Sequence, residues 1–187
     1  MSLDLPTPQM LHAILRYDRE TGVLFWRERP LSMFLHCKHP HRSCAIWNSR
    51  YAGVQAGTDF DGYIAVGLKS FGRPSVFAHR IAWAMHYGEW PQDCIDHVNG
   101  DRKDNRIGNL RVVSRAENMR NLPLAVNNTT GAVGVSWDRA RMRWRAQIGD
   151  GRRQVFLGRY RTLEGALTAR KAAEQALGFH ENHGRNI

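Results

Sequence analysis

The chain has 187 residues, of which 42% are hydrophobic, so it can bury one ordinary core or two small ones. No apolar run approaches the length of a membrane span, and the N-terminus lacks a charged and then apolar leader. The three cysteines are too few, and odd in number, for a disulfide framework. We therefore expect a cytoplasmic, intracellular protein with no membrane partner.

The net charge of +10 and the pI near 10.2 favour a polyanionic partner. Lysine and arginine exceed aspartate and glutamate by 3 in residues 1–78, by 1 in residues 79–122 and by 6 in residues 123–187. The nearly neutral middle suits a site that must itself hold a cation. The basic final third suits contact with nucleic acid.

Residues 1–78 have the patterns of a short helix followed by small strands. Thr7-Pro8 is typical of a helix start, and Val23 to Trp26 is predicted to be a strand. We expect this region to support a site rather than to do chemistry. Further strands are predicted at Val54–Ala56, Tyr63–Leu68 and Ser75–Phe77, with a hairpin turn at Asp61-Gly62.

Five potential metal ligands crowd into nine positions within this region. Histidine and cysteine are preferred ligands of zinc, so one interpretation is a structural zinc site. The other is a polar loop that is rich in histidine, which the lack of any paired C-x-x-C spacing favours. The five residues are His36, Cys37, His39, His41 and Cys44.

A helix is predicted from His79 to Tyr87, closed by Gly88 and Pro91. Arg80 in this helix has two interpretations that the sequence does not separate. It contacts a strand of the nucleic-acid partner, or it pairs with an acid and fixes the helix.

The most informative stretch runs from Ile95 to Asn118. It opens with Asp96-His97, passes through a polar, turn-rich run into a short strand at Leu110–Val113, and ends in a predicted helix that carries Asn118. It holds no conventional covalent nucleophile. One base, one carboxylate and several amide oxygens suit attack by water with the help of a hard divalent cation. The ordered set, with the segments before it, is His79–Trp83, Gly88–Pro91, Asp96-His97, Asn109-Leu110 and Asn118.

This ordered set resembles the ββα-metal motif of the HNH endonucleases, in particular the phage and homing subgroup. The resemblance implies that Asp96 and Asn118 bind one divalent cation, with Mg²⁺ expected and Mn²⁺ as a substitute. It also implies that His97 is the general base and that Asn109 orients it. Asn118 replaces the histidine that is the third letter of the motif, a variant also found in the homing subgroup. This difference bears on the choice of metal more than on the reaction.

The tail has a different character. Pro123 to Thr130 lacks an apolar period and is predicted to be a linker. Strands are predicted over Val133–Trp137 and Arg152–Leu157, the latter after a turn at Asp150-Gly151, and a helix over Thr162–Leu177. The strand between them alternates, which gives the sheet an open face formed by Arg141, Arg143, Arg145 and Gln147.

The tail resembles the ethylene-response-factor type DNA-binding domain in Gly134–Trp137, Trp144–Ala146, Leu157-Gly158 and its alanine-rich helix. That resemblance implies a β-ribbon in the major groove of double-stranded DNA, where arginine reads guanine and contacts phosphate. The alternative is a sheet face that arginine merely keeps soluble. Trp144 can also be interpreted as a residue of the hydrophobic core, because strict alternation places it beneath the sheet. With Arg80, the candidates for DNA contact are Arg139, Arg143, Arg145, Arg153 and Trp144.

Together the patterns predict an α+β chain: a supporting region over 1–78, an HNH ββα-metal module over 79–122, a linker over 123–130, and a three-stranded antiparallel sheet on one helix over 131–180. The predicted function is metal-dependent DNA cleavage, by nicking or double-strand breaks, in a monomer or a dimer. The alternative is a non-catalytic, sequence-specific DNA-binding regulator with a degenerate nuclease module. An RNA-directed enzyme is disfavoured, because a β-ribbon cannot easily read the deep, narrow major groove of RNA.

Overall fold

The computed structural model describes residues 5–120, 124, 127–149, 153–179 and 183. The chain divides into two compact units, Met1–Val112 and Val113–Ile187. Both contain helices and small antiparallel sheets, in agreement with the α+β class. Part of the predicted linker and the predicted turn at Asp150-Gly151 lie outside the described residues. Within the described ranges, no helix has both the length and the apolar character that a membrane crossing requires.

The first unit is built from short helices and strands. In chain order they are α1 (Pro8–Ile14), β1 (Leu15–Asp18), β2 (Val23–Trp26), α2 (Pro40–Tyr51), β3 (Thr58–Phe60), β4 (Tyr63–Leu68), β5 (Arg73–Phe77), α3 (Ala78–Tyr87), β6 (Cys94–His97) and β7 (Leu110–Val113). The strands form a β1–β2 hairpin, a sheet in the order β3-β4-β5, and a β6–β7 pair. Turns of 3₁₀ helix lie at Leu31–Phe34, Lys69–Phe71 and Ile107–Asn109.

Local signals of the sequence act as predicted at several element ends. The Thr7 hydroxyl accepts a hydrogen bond from the Met10 amide (3.3 Å), which confirms the cap of α1. Asp61 and Gly62 join β3 to β4 with φ angles of 54° and 76°, the left-handed pair that a tight hairpin turn needs. The strand predicted at Val54–Ala56 is wrong, because that segment is reduced to one bridge, between Gln55 and Phe25.

The polar-loop interpretation of residues 36–44 is wrong from Pro40 onward, where α2 begins. Long-range contacts account for this helix. Trp47 packs edge-on against Trp26, with ring centroids 5.8 Å apart, and the Arg29 guanidinium lies 3.9 Å from the Trp47 ring centroid. The Asn48 amide group also binds both the backbone N–H and the carbonyl of Arg29, at 2.9 Å and 3.0 Å. Local propensity cannot reveal contacts made across the chain.

The core of the first unit joins its N-terminal hairpin to α3. Leu11, Leu15, Val66 and Ile81 are all 0% exposed and belong to one cluster. They come from α1, β1, β4 and α3, so these four elements share one apolar interior. Because α3 leads into β6, this core also positions the strand that carries Asp96.

The second unit contains α4 (Arg115–Arg120), β8 (Val135–Asp138), β9 (Arg143–Gly149), β10 (Gln154–Tyr160) and α5 (Leu163–Ala176). The strands form an antiparallel sheet in the order β10-β9-β8, and α5 packs against all three. The Thr162 hydroxyl accepts from the Gly165 amide (3.2 Å) and caps α5 as predicted.

A buried arginine fastens α5 to the central strand. Arg170 is 3% exposed, donates to the Gln147 carbonyl (2.6 Å) and pairs with Glu174 (2.7 Å). Gly134 lies against the same point with φ of 77°, and a Cβ there would meet the Gln147 carbonyl oxygen. At this point the Arg170 guanidinium, and not a pair of apolar side chains, joins the helix to the sheet.

We expect Arg170→Met to destabilise the second unit by about 3 kcal/mol, because it removes the buried charge partner of the half-buried Glu174 carboxylate and the donor to the Gln147 carbonyl. Hydrogen exchange of the β9 amides measures the local opening. Lys171→Met, on an exposed neighbour in the same helix, is the matched control and should leave that exchange unchanged. Equal effects of both variants would show that Arg170 is not the fastening point.

Candidate functional site

The β6–β7 hairpin brings together the first residues of the predicted site. The Val98 amide donates to the Asn109 carbonyl (2.8 Å). In an antiparallel pair that register places Asp96 opposite Arg111. Asp96 is 8% exposed and His97 is 4% exposed, so both lie inside the unit although neither is apolar.

Asp96 is paired with an arginine that the sequence reasoning missed. Nε and Nη2 of Arg111 donate to one carboxylate oxygen of Asp96, Oδ2, at 3.0 Å and 2.6 Å. A buried carboxylate is costly unless a positive charge balances it, and Arg111 supplies that charge. The register of the two predicted strands could have indicated this contact, because it places Arg111 opposite Asp96 on the neighbouring strand.

The His97 ring is enclosed by polar and aromatic groups. Its Nε2 lies 3.2 Å from Oδ1 of Asn105. Its ring centroid lies 5.1 Å from that of His79, in a perpendicular arrangement. Burial lowers the pKa of His97, although Asn105 and Asp96 oppose that shift. The imidazole is therefore neutral near pH 7, the state in which it can accept a proton.

The Asn109 side chain braces the loop between the two strands. Its Oδ1 accepts from the Asn99 amide (2.9 Å), and its Nδ2 donates to the Asp104 carbonyl (2.8 Å). Among the described residues, the side chain that forms a hydrogen bond with the His97 ring is that of Asn105. Asn109 thus acts on the loop that carries Asn105.

Asp104 fixes the same loop through its charge. Its two carboxylate oxygens accept from Nε and Nη2 of Arg106 at 2.8 Å and 2.6 Å, and one also accepts from the Asn99 side chain (2.7 Å). The hydrogen bond from Arg106 is the main reason that the pKa of Asp104 is lowered to about 2. The loop therefore keeps its ionised anchor throughout the neutral and mildly acidic range.

His79 lies at the start of α3 and packs behind His97. It is 7% exposed and stacks on Phe77, with ring centroids 5.5 Å apart. Its Nδ1 has no hydrogen-bond partner among the described residues. Burial, reinforced by the nearby His97 and Arg80, lowers the pKa of His79 to about 3. His79 is therefore a neutral wall of the site.

Arg80 stabilises the segment that leads from α3 into β6. Its Nη2 donates to the Pro91 carbonyl (3.0 Å) and its Nη1 to the Asp93 carbonyl (3.2 Å). These contacts give Arg80 a structural task in the segment between α3 and β6, and its partners there are backbone oxygens rather than an acid.

Asn118 lies on α4, in the second unit. The helix begins with a capping box: the Ser114 amide donates to the Glu117 carboxylate (2.8 Å), and the Ser114 hydroxyl accepts from the Glu117 amide (3.2 Å). The Asn118 amide donates to the Ser114 carbonyl (2.9 Å) in the first turn. The cap thus sets the helix start four residues before Asn118.

The donor types expected of the site suit a hard cation. Asp96 on β6 offers a carboxylate oxygen, and Mg²⁺ is usually bound through one or two carboxylates, with water and substrate phosphate as its other ligands. Asn118 on α4 carries an amide oxygen, the other donor type that was expected. In the described part of the chain, no group of three or more His, Cys, Asp or Glu side chains is placed to hold a metal. A carboxylate donor such as Asp96 fits magnesium chemistry.

The cysteine- and histidine-rich stretch, which the structure describes in full, is not gathered around one point. Cys37 lies beside its neighbour His36, with Sγ 3.6 Å from Nε2. Cys44 instead binds the Arg29 carbonyl (3.5 Å) from within α2. Cys44 therefore contributes to the packing of α2, whereas His36, His39 and His41 are exposed.

The second unit presents an open face of arginine side chains. Arg145 on β9 lies between Ser136 on β8 and Arg159 on β10, and Arg143 lies opposite Asp138. Asp138 pairs with Arg159 (3.1 Å), which lowers the pKa of that carboxyl. β9 begins at Arg143, so the positions assigned to Arg139 and Arg141 are in the β8–β9 turn, and the exposed Arg153 precedes β10.

Phe156 and Arg159 also lie on this face, although neither was predicted from the sequence. Phe156 is 51% exposed, and the guanidinium groups of Arg159 and Arg145 lie 4.9 Å and 5.9 Å from its ring centroid. Trp144, the aromatic residue that was singled out, lies on the other face. It meets Trp137 edge-on at 5.1 Å and packs against the core beneath α5, as strict alternation predicts.

Comparison with known proteins defines the class. Residues 76–120 match the family described as HNH endonuclease, so this segment is an HNH domain. At the level of that family, the domain indicates a nuclease with DNA as its substrate and a divalent metal as a general requirement. The chain is also 31% identical over 83 residues to Protein 3.8 of Escherichia phage T7, an alignment that covers 43% of this chain and 69% of that protein. The chain belongs to the family of that phage protein. No solved structure matches significantly.

The burial of His79 predicts a specific dependence of stability on pH. Its pKa is about 3 when folded and near 6.5 when unfolded, so below pH 6.5 the unfolded chain takes up a proton that the folded chain does not. The free energy of unfolding should fall by about 3 kcal/mol from this group between pH 6.5 and pH 4.

His79→Phe keeps an aromatic ring and removes the titration, so its unfolding free energy should depend less on pH than that of the wild type. Urea unfolding at a series of pH values measures the difference. Parallel pH profiles for the two proteins would contradict the assignment of a neutral, buried His79.

Proposed function

We propose that the protein is a metal-dependent DNA endonuclease of the HNH homing type that hydrolyses phosphodiester bonds. The observation that carries the proposal is the buried pair Asp96-His97 on β6, inside the segment that matches the HNH family. The pair supplies a carboxylate for a cation beside an imidazole that is neutral at the pH of the reaction.

Each residue has one proposed task. By the resemblance to the HNH endonucleases, Asp96 and Asn118 would hold the cation, Mg²⁺ or Mn²⁺, which when bound would offset the negative charge that develops on the phosphate. His97 accepts a proton from water as the water attacks phosphorus in line with the leaving 3′ oxygen. The products are a 5′-phosphate and a 3′-hydroxyl. Asn109 supports His97 through the loop that it braces.

The second unit is proposed to hold double-stranded DNA through its arginine face. Arg145 is exposed at the centre of the face, and Arg143 lies on the same strand. Phe156, flanked by Arg145 and Arg159, adds an apolar surface that phosphate contacts alone would not need. This is the use that the likeness to the ethylene-response-factor type domain implies. A single HNH domain carries one such site, so nicking is the proposed unit of reaction.

Cleavage of supercoiled plasmid in Mg²⁺ or Mn²⁺ tests the catalytic proposal. The wild type should convert it to open circle, and EDTA should abolish the conversion. His97→Ala should lose at least about 100-fold in rate, because general bases contribute on that order or more. His86→Ala, which removes an exposed histidine at the end of α3, should cut normally.

Stable DNA binding by the wild type without cleavage, across metals and several DNA sequences, would contradict the nuclease proposal. An active His97→Ala protein would contradict the role of that histidine while leaving the nuclease assignment intact.

The arginine face predicts a change in the salt dependence of binding. If Arg143 and Arg145 each contact a phosphate, replacing both with glutamine should reduce the slope of log K against log salt by about 2. Fluorescence anisotropy of a labelled duplex at several salt concentrations measures that slope. Lys171→Gln, on the exposed side of α5, removes one positive charge from the same unit and should leave the slope unchanged.

An unchanged slope in the Arg143→Gln/Arg145→Gln protein would place the DNA contacts elsewhere on the chain.

A further inference from the structure

We propose that the β1–β2 hairpin, which lies outside the matched HNH segment, is a positioning element of the active site. In this account Tyr17 and Gly22 hold the backbone of Asn105, and Asn105 fixes the His97 tautomer in which Nε2 carries the proton and Nδ1 is the basic nitrogen. The inference rests on the proposed nuclease function for its catalytic meaning, and on contacts within the first unit for its geometry.

The orientation of the Asn105 amide is set by its own contacts. Asn105 is 3% exposed, and its Nδ2 donates to the Lys103 carbonyl (3.1 Å). The other end of the amide, Oδ1, therefore faces Nε2 of His97 at 3.2 Å. An amide oxygen can only accept, so Nε2 must donate. In the neutral ring the proton is then on Nε2, and Nδ1 keeps the lone pair that a general base uses.

The first hold on Asn105 comes from Tyr17. The Tyr17 hydroxyl donates to the Asn105 carbonyl (2.7 Å), a contact between residues 88 positions apart. Burial raises the pKa of Tyr17 to about 12, so the hydroxyl remains a donor at any pH at which the protein works. The bond fixes the main chain at the residue whose side chain binds His97.

The second hold is steric, at the turn of the hairpin. Gly22 has φ of 74°, and a Cβ there would overlap the Arg106 amide nitrogen and lie 2.6 Å from the carbonyl carbon of Asn105. The turn is itself fixed, since the Gly22 amide donates to the Asp18 carbonyl (2.8 Å) and the Asp18 carboxylate accepts from the Glu20 amide (3.0 Å). The hairpin backbone thus packs directly on the backbone of the loop.

The two holds give the N-terminal region a task in the reaction. Asn105 lies inside the segment that matches the HNH family, whereas Tyr17 and Gly22 lie about 50 residues or more before its start at residue 76. Tyr17 and Gly22 touch neither water nor phosphate in this account. They are positioning residues, and their loss should lower kcat while leaving KM and DNA affinity unchanged.

The test compares four single variants of the full chain: Tyr17→Phe, Asn105→Ala, Asn105→Asp and the control Tyr51→Phe. Long-range ¹H–¹⁵N spectra of the metal-free proteins, labelled at histidine, report the His97 tautomer without turnover. The wild type and Tyr51→Phe should show the Nε2-protonated form. Asn105→Ala should show a mixture, and Asn105→Asp, which keeps an acceptor oxygen, should restore the wild-type form.

Cleavage kinetics form the second readout. Tyr17→Phe should lower kcat about fivefold and Asn105→Ala by about tenfold or more, with KM unchanged, because each loses one hydrogen bond that orients the base. Tyr51→Phe should match the wild type. Thermal melting shows whether each variant is folded, and Tyr17→Phe supplies the milder test if Asn105→Ala is not.

The outcomes separate the two proposals. If the wild type cleaves and Tyr17→Phe keeps full kcat, or if Asn105→Ala keeps the Nε2-protonated tautomer, the positioning account is wrong and the nuclease proposal stands. If the wild type cleaves no DNA, the nuclease proposal fails, and the spectra alone decide whether Asn105 sets the tautomer.

Discussion

The hydrogen bond between His97 and Asn105 is the interaction on which the rest of the site depends. It lies in an interior where both residues are almost fully covered, so neither side chain can turn to water for a substitute partner. The β6–β7 loop, the Tyr17 hydroxyl and the Gly22 turn all converge on Asn105. Burial keeps His97 neutral, and the same burial makes its orientation sensitive to every group that fixes the loop.

A second constraint is the charge of Asp96. The carboxylate is balanced by Arg111 from the facing strand, so a cation that binds Asp96 must share the carboxylate with the guanidinium or displace it. This arrangement lets the first unit fold around a buried acid before any metal binds. The surplus positive charge that suits nucleic acid lies instead in the strongly basic second unit.

Much of the fold followed from the sequence where local rules govern. Thr7 and Thr162 cap their helices, Asp61-Gly62 makes its hairpin, and the β9 alternation separates arginines from Trp144, because each depends on neighbours in the chain. Helix α2 was missed because Trp47 is held by Trp26 and Arg29. Likewise Tyr17 acts through a contact across the fold that the sequence motif does not show, whereas the predicted strand register offered a signal for Arg111.

The central claim is that water, deprotonated by His97, attacks the phosphorus atom of DNA. The most direct measurement is cleavage of a duplex with Mg²⁺ in water enriched in ¹⁸O, followed by mass spectrometry of the product ends. The account predicts one ¹⁸O atom in each new 5′-phosphate and none in the 3′-hydroxyl. Cleavage that leaves 3′-phosphate ends, or that places no ¹⁸O in the 5′-phosphate, would contradict it.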